Sequence, residues 1–440
     1  MAQSFSNSPY YDIGCYSGNY DYDLTNCLRK IVFIGSINTP YFGVIIDFLT
    51  DPKDMILNSL FGNSDLVLTI SFHAEDKTIL EANQFKLMTL KTEMSVPIPI
   101  IKDKKSIVTT TVRTYNVPHV SFSRMNSSVS KVFKDITIPA AMVKSIIDDF
   151  TWISKNSTDL SLQKGGNPNF IQQFLIPPMT FINAIKYIHG TDRDIVERYG
   201  PGVGLFSGVM FAGCQLIDNT FCLWDLKEKI KDAPEYKLFM LTGGADNDKI
   251  LENAGKTSFP IRQPVIHMNK TNQNVAIAGT SNIFITKPLD NLEGYSETDI
   301  DSLFEKNGLK SGSGKVSYNP ALDTRVNYHT YISGSYDLDG EGKVEKGDST
   351  SLHAGISEKI AENSEFIIKL DRNLRLNKLS RIGIPVSFDT QTSELSDFHG
   401  NYIVGSVKIV FVGRGGVMGW VNNTTLKIFR GNLYSKEKRK

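Results

Sequence analysis

The sequence predicts an α+β protein, mainly β, in which two β regions flank an α/β middle. Three observations carry this. Runs rich in β-branched and aromatic residues, several alternating with a period of two, fill the stretch from about residue 26 to 125. Near residue 139 the apolar period becomes that of a helix. After about residue 366 the strand pattern returns.

Residues 1–25 are rich in Ser, Asn, Asp and Tyr and read as an N-terminal arm, irregular or ordered by a partner. Residues 26–125 form the first β region. "RKIVFIGS" and "FGVIIDFL" are strands separated by "INTPY", where Pro40 breaks the ladder. In "SDLVLTISF" Leu66, Leu68 and Ile70 fall on one face, and Gly62 and Asn63 precede it as turn residues. "QFKLMTLKTEM" and "SIVTTTVRTYNV" continue the pattern, which suits an antiparallel barrel or sandwich.

Residues 126–228 form the α/β middle. In "TIPAAMVKSIIDDFTWI", Met142, Val143, Ile146, Ile147 and Phe150 share a helical face, and Pro139 suits the first helical position because its missing N–H would be unpaired there. A second helix is expected from Pro178 to Gly190, with Phe181, Ile182, Ile185 and Ile188 on one face. "GLFSGVMFAGCQLIDNTFCLWDL" reads as a strand pair turning at Asp218 and Asn219. Residues 229–365 read as a mixed, loop-rich connection with short strands and a short helix in "SETDIDSLFEKNG". Residues 366–440 are the second β region, ending in a hairpin around the glycine-rich "GRGGVMG".

Composition narrows the function classes. With 48 Lys+Arg against 47 Asp+Glu, the net charge of +1 gives no electrostatic case for nucleic acid or an anionic membrane. The basic run Lys436–Lys440 reads as a solvated tail. The start lacks the basic and apolar regions of a signal peptide, and no apolar run approaches the ~20 residues needed to span a bilayer. Cys15, Cys27, Cys214 and Cys222 show neither metal-site spacing nor a disulfide-scaffold density, which fits synthesis in a reducing cytoplasm.

No catalytic constellation is legible. "GRGGVMG" and "GPGVGLFSG" lack the strand-then-helix context of a dinucleotide site and read as turns. None of the seven histidines falls in a zinc motif, and there is no nucleophile elbow. Asp148 and Asp149 are adjacent on a helix and point to different sides, so they read as solvent-facing. Trp152, Trp224 and Trp420 read as core or interface anchors. The one metal candidate is "DLDGEGKVEKGD". Asp337, Asp339 and Glu341 offer oxygens at alternating positions, as in a calcium loop, with Gly342 where the sharp turn belongs. Its twelfth position is Asp348 rather than the longer Glu, and its flanks do not read as helices, so the alternative is a solvated acidic loop. No cofactor is expected.

The order of three stretches resembles the central baseplate hub proteins of tailed phages, relatives of the hub of contractile-tailed phages, which share barrels with the spike proteins of type VI secretion. "CLRKIVFIGSINTPYFGVIIDFLTDPKDMILNSLFGNSDLVLTISF" looks like the opening barrel of such a hub. "SSVSKVFKDITIPAAMVKSIIDDF" with "FLIPPMTFINAIKYI" and "GLFSGVMFAG…FCLWDL" looks like the middle domain, and "RLNKLSRIGIPVSFD…DFHGNYIVGSVKIVFV…VNNTTLKIF" like the closing barrel. Together they cover about two thirds of the chain. The resemblance implies two related β-barrel domains flanking an α/β middle domain, and a structural, non-enzymatic role. It implies a homotrimer whose six barrel units form a pseudo-sixfold ring. That ring would join the tail tube protein to the central spike protein, beside baseplate wedge proteins, in the virion. DNA would pass along its channel without specific contacts, and no membrane insertion is implied. Two alternatives stand beside it. One is a tail-associated cell-wall hydrolase, which needs a catalytic constellation. The other is a type VI-like contractile injection spike component, which usually carries a needle beyond its last barrel, whereas this chain stops soon after Phe429.

Overall fold

The structure, a computed structural model, describes residues 9–18, 20–37, 39, 41–50, 65–74, 76–95, 98–102, 105–134, 139–149, 158–160, 173–181, 183–185, 210–225, 232–240, 258–266, 282–288, 296–298, 327–333, 365–370, 375–390, 400–413 and 420–429. Strand β1 (Tyr10–Ser17) is followed by the two-residue β2 (Tyr22–Asp23). This corrects the expectation of an irregular arm. Beneath the polar composition lies a period of two: Tyr11, Ile13, Cys15 and Ser17 are buried while Asp12 is exposed. Then come β3 (Leu28–Ser36), β4 (Gly43–Thr50), β5 (Asp65–His73), β6 (Ile79–Met94), β7 (Ile98–Lys102) and β8 (Lys105–Pro118). In β5 the alternating Leu66, Leu68 and Ile70 are buried together.

The middle holds α1 (His119–Asn126), β9 (Ser128–Lys134), α2 (Pro139–Asp149), β10 (Thr158–Leu160), β11 (Gln173–Thr180), β12 (Met210–Cys214) and β13 (Phe221–Asp225). Helix α2 begins on Pro139 and buries Met142, Ile146 and Ile147. The helix expected from Pro178 begins instead at Phe181. Pro177 and Pro178 lie within β11, where its register against β9 shifts between Ile176 and Met179. Two successive residues without an N–H cannot continue a ladder, and the irregularity accommodates them. β12 and β13 pair about the expected turn, where Asn219 takes a positive φ of 55° and the Thr220 N–H donates to Asp218 Oδ1 at 2.9 Å.

Next are β14 (Tyr236–Met240), β15 (Ser258–Ile266), and a small sheet of β16 (Asn282–Pro288), β17 (Ser296–Thr298) and β18 (Asn327–Ser333). The chain then gives β19 (Glu365–Leu370), α3 (Leu376–Leu379), β20 (Pro385–Thr390), β21 (Gly400–Gly413) and β22 (Trp420–Phe429). Ser296–Thr298, expected to open a short helix, is a strand pairing with β16. The region expected to be a connection contributes β14 and β15 to the main sheet, with β14 parallel to both β15 and β20.

That sheet has fourteen strands, and its pairing closes on itself twice. One circuit runs β21–β3–β4–β8–β6–β5–β1–β22 and back to β21. The other runs β21–β20–β14–β15–β19–β22 and back to β21. The two circuits share the β21–β22 hairpin. One continuous apolar core runs through both: Ile13, Phe33, Phe48, Phe85 and Phe411 belong to the first circuit, and Leu238, Phe259, Val386 and Tyr402 to the second.

Candidate functional site

The shared hairpin is where the two halves of the molecule are joined, and its local sequence explains how. Along β21, Gly400 to Ile403 pair with Phe388 to Pro385 of β20. From Ser406 to Val412 the same strand pairs instead with Ser36 to Lys30 of β3. Between these halves the register against β22 shifts, with Val404 opposite Ile428 and Ser406 opposite Lys427, so Gly405 is the extra residue. A glycine within a strand pattern often marks such a bulge, which bends the strand and increases its twist. Its carbonyl is not wasted: it accepts the N–H of Ile37 at 3.0 Å as the chain leaves β3. Before the bulge Tyr402, Ile403 and Val404 are all buried, so both faces are covered. After it burial alternates, with Val407, Ile409 and Phe411 inside and Lys408 and Val412 exposed. β22 divides in the same way. Thr425 to Phe429 pair with β19, whereas Trp420 pairs with Tyr11 of β1.

Tyr11 closes the first circuit. Its ring lies 4.8 Å from Phe72 and 4.9 Å from Phe411, and its hydroxyl is hydrogen-bonded with Asn422 of β22. Along the same rung follow Phe72 and then Glu81. Glu81 Oε1 accepts the backbone N–H of Asn377 in α3 at 3.0 Å and Asn83 Nδ2 at 2.5 Å, tying β6 to the segment that leads into β20. Burial raises the Glu81 carboxyl above its ordinary range, against the lowering effects of Asn83, Asn377 and Arg375. The folded state therefore holds this proton at a pH where the unfolded chain has lost it. The stability it contributes is present at low pH and falls as pH rises through the folded value. Glu81→Gln keeps an acceptor for Asn377 and removes the charge. Its melting temperature relative to the parent is expected to be higher at pH 7 than at pH 4, and an equal difference at both would refute this account.

A second tie fixes the middle onto the sheet. The Gln215 side-chain amide donates to the Ile382 carbonyl at 2.8 Å and accepts the Ile382 N–H at 3.2 Å, mimicking a strand neighbour. Leu216 and Cys222 on the same hairpin enter the common core. The wall of the first circuit carries its own polar ties. Inside, Asn116 Nδ2 donates to Thr114 Oγ1 at 2.8 Å and to the Val44 carbonyl at 3.2 Å, while Asn116 Oδ1 accepts Thr89 Oγ1 at 2.8 Å. Outside, Arg113 makes two bonds to Asp47, at 2.7 and 3.1 Å, directly across β4 and β8. These bonds raise the guanidinium pKa further.

Among the described residues no three His, Cys, Asp or Glu side chains gather as a metal group. None of the four cysteines is in a disulfide, and burial pushes the Cys15 thiol and the Tyr11 and Tyr236 phenols upward, holding them neutral. His73 stacks on Tyr10 at 4.9 Å, and His119 Nε2 lies 3.4 Å from Asp65. Asp148 and Asp149 are exposed, Asp149 bonding to Lys131 at 2.5 Å. Trp420 packs against the core. Asp337, Asp339 and Glu341, the "GPGVGLFSG" stretch and residues 414–419 lie outside the described residues. No helix among the described residues is long and apolar enough to cross a membrane, which says nothing of a strand-built span. Sequence reasoning missed Gln215 and Glu81, whose partners lie 167 and 296 positions away. Gly405 carried a readable signal in "IVGSVKI".

No protein-family model and no curated protein matches the chain. Solved structures do. A tail protein from Neisseria meningitidis MC58 aligns with a TM-score of 0.52 at 10% identity, over 96% of this chain and 97% of that one. The 43 kDa tail protein of prophage MuSo2 from Shewanella oneidensis aligns at 0.48 and 8% identity, over 95% and 98%. A Francisella PdpA–VgrG complex aligns at 0.46 and 12% identity, over 98% of this chain and 54% of that one. The chain thus has the fold of the Neisseria tail protein over nearly the full length of both.

Proposed function

We propose that this chain is a structural hub of a phage tail baseplate. Three copies form a ring that joins the tail tube to the central spike around the tail channel, with wedge proteins outside. The observation that carries this reading is the double closure of the sheet. Each circuit is one barrel, so each subunit brings two, and three subunits bring six related units. Such a ring offers near-sixfold symmetry on one face and threefold on the other, and a closed cyclic contact avoids open-ended filaments. The fold shared with a tail protein supports it. The protein works in the virion and performs no chemical step. Light scattering of the purified chain, followed by cryo-EM of the particle, tests the reading. Three copies with six barrels are expected. A ring of six chains, or a lytic band on host cell wall abolished by one Asp or Glu substitution, would overturn it.

The alternating spacing of Asp337, Asp339 and Glu341 makes them the candidate calcium ligands. Asp339→Ala is then expected to lower the melting temperature only in calcium, since a ligand bound by the folded state alone stabilises by mass action. A parent protein that melts identically in calcium and in chelator discards that site.

A further inference from the structure

We infer that α3, together with the start of β6, docks on the Tyr20–Asp23 turn of a second copy of this chain, resting on the ring reading above. The Asn377 N–H donates to Glu81 Oε1 at 3.0 Å, so α3 lies against the first residues of β6. Ile79 and Leu80 there are 60% and 39% exposed. Arg375 and Lys378 are exposed beside them. The described carboxylates at this end are engaged: Asp76 accepts the Thr78 N–H at 2.9 Å, and Glu81 holds Asn377 and Asn83. The short helix is held stiffly. Leu376 is fully buried, the Lys378 N–H donates to the Arg375 carbonyl at 3.0 Å, and the Ser380 N–H to the Leu376 carbonyl at 2.9 Å. Exposed apolar side chains beside two fixed cations suit a partner that is both aromatic and acidic.

The turn after β1 has that character. Tyr20 and Tyr22 are about half exposed, and Asp21 and Asp23 are exposed beside them. This turn is rigid too. The Gly18 N–H donates to the Asp65 carbonyl at 2.9 Å and the Asp21 N–H to the Ser17 carbonyl at 3.1 Å. The Tyr20 ring packs against Tyr16 at 4.9 Å and its hydroxyl is hydrogen-bonded by Gln84. Tyr20 also takes a φ of 71°, a conformation a bulky residue keeps only where its surroundings impose it. Asp23 accepts the Thr25 N–H at 2.9 Å, and the Thr25 hydrogen bonds keep its carboxyl below the usual range. Two surfaces ordered before they meet lose little entropy on docking.

The two surfaces cannot meet within one chain. They lie at opposite ends of the β1–β5 pair. The turn leaves β1 at Ser17, opposite Leu66, whereas Ile79 stands opposite His73, which pairs with Tyr10. Seven positions of extended strand separate those rungs, roughly 23 Å at ~3.3 Å per residue. Different surfaces meeting between copies make a head-to-tail contact, the kind that closes into a ring when the rotation allows.

The test uses the full chain carrying Asp21→Cys and Lys378→Cys. Oxidation is expected to give disulfide-linked species up to a trimer, with neither single variant nor the parent doing so. Arg375→Glu with Lys378→Glu is expected to weaken assembly by about tenfold, and Asp21→Lys added to that pair to restore part of it. A reversed protein that assembles as tightly as the parent would overturn the docking. A double-cysteine protein that is trimeric by mass but does not cross-link would overturn the docking while leaving the ring standing. Cross-linking that stops at a dimer would overturn the head-to-tail geometry. A parent that is monomeric by mass would overturn both.

Discussion

Ending the chain at Asp397 is expected to leave no soluble, cooperatively folded protein. The deletion removes β21 and β22, and with them Tyr402, Ile403, Val404, Val407, Ile409, Phe411, Leu426 and Ile428, each at most 1% exposed. Even at ~1.5 kcal/mol for each buried side chain, their loss is comparable with the whole stability of a typical domain, about 5–15 kcal/mol. The damage is also not confined to one end. β3 and β1 lose a neighbour in the first circuit, β20 and β19 in the second, and four strand edges open at once. Two independent barrels would behave differently, because the N-terminal one would survive the cut. Solubility, far-ultraviolet circular dichroism and a thermal melt of the truncated chain decide between them. A soluble fragment with a cooperative transition would show that the hairpin is not a shared wall.

The second large effect is expected at Gly35, near the end of β3 and opposite Val407 of the hairpin. A Cβ built there would lie 2.1 Å from Phe42 Cζ and within 2.5 Å of both neighbouring ring carbons. The Phe42 ring is fully buried and cannot step aside. Gly35→Ala therefore forces either the ring or β3 to move, and overpacking of this kind costs roughly 1–3 kcal/mol, sometimes more. We expect the upper end, because β3 is also held by β21 and β4. Phe42→Leu in the same chain is expected to recover part of the loss, since the two positions are in contact and not additive. Denaturant melts of the single and double variants measure this. A Gly35→Ala protein within ~0.5 kcal/mol of the parent, the usual range of an inconsequential surface change, would mean the close approach has no energetic weight.

What the sequence made legible follows from how local each feature is. Strands such as β5, with Leu66, Leu68 and Ile70 on one face, announce themselves through a period of two. Helix α2 announces itself through Pro139 and the spacing of Met142, Ile146 and Ile147. The turn at Asp218 and Asn219 needed only its own residues. β1 was misread because Ser, Asn, Asp and Tyr outweighed the alternation of Tyr11, Ile13 and Cys15, which is short and depends on tertiary burial. The prolines of β11 pointed to a helix start because nothing local reveals that β9 lies alongside. β14 and β15 were undervalued because their neighbours, β20 and β19, come more than a hundred residues later. The tie of Gln215 to Ile382 is of the same kind: a glutamine beside a turn is unremarkable until its partner is known.

The sharing of one hairpin also governs the order in which the molecule can come into being. Val410 pairs with Val32, and Trp420 with Tyr11, across nearly the whole chain. Synthesis at ~5–20 residues per second puts roughly 20–80 s between the appearance of β3 and that of its final neighbour. Throughout that interval β3 and β1 lack the strands that complete them, and each is a template for pairing with another nascent chain. Neither half can finish first, because the wall that closes one closes the other. The native state is then reached in a late, concerted step with high loop-closure entropy, which makes folding slow and the waiting chain dependent on protection from aggregation.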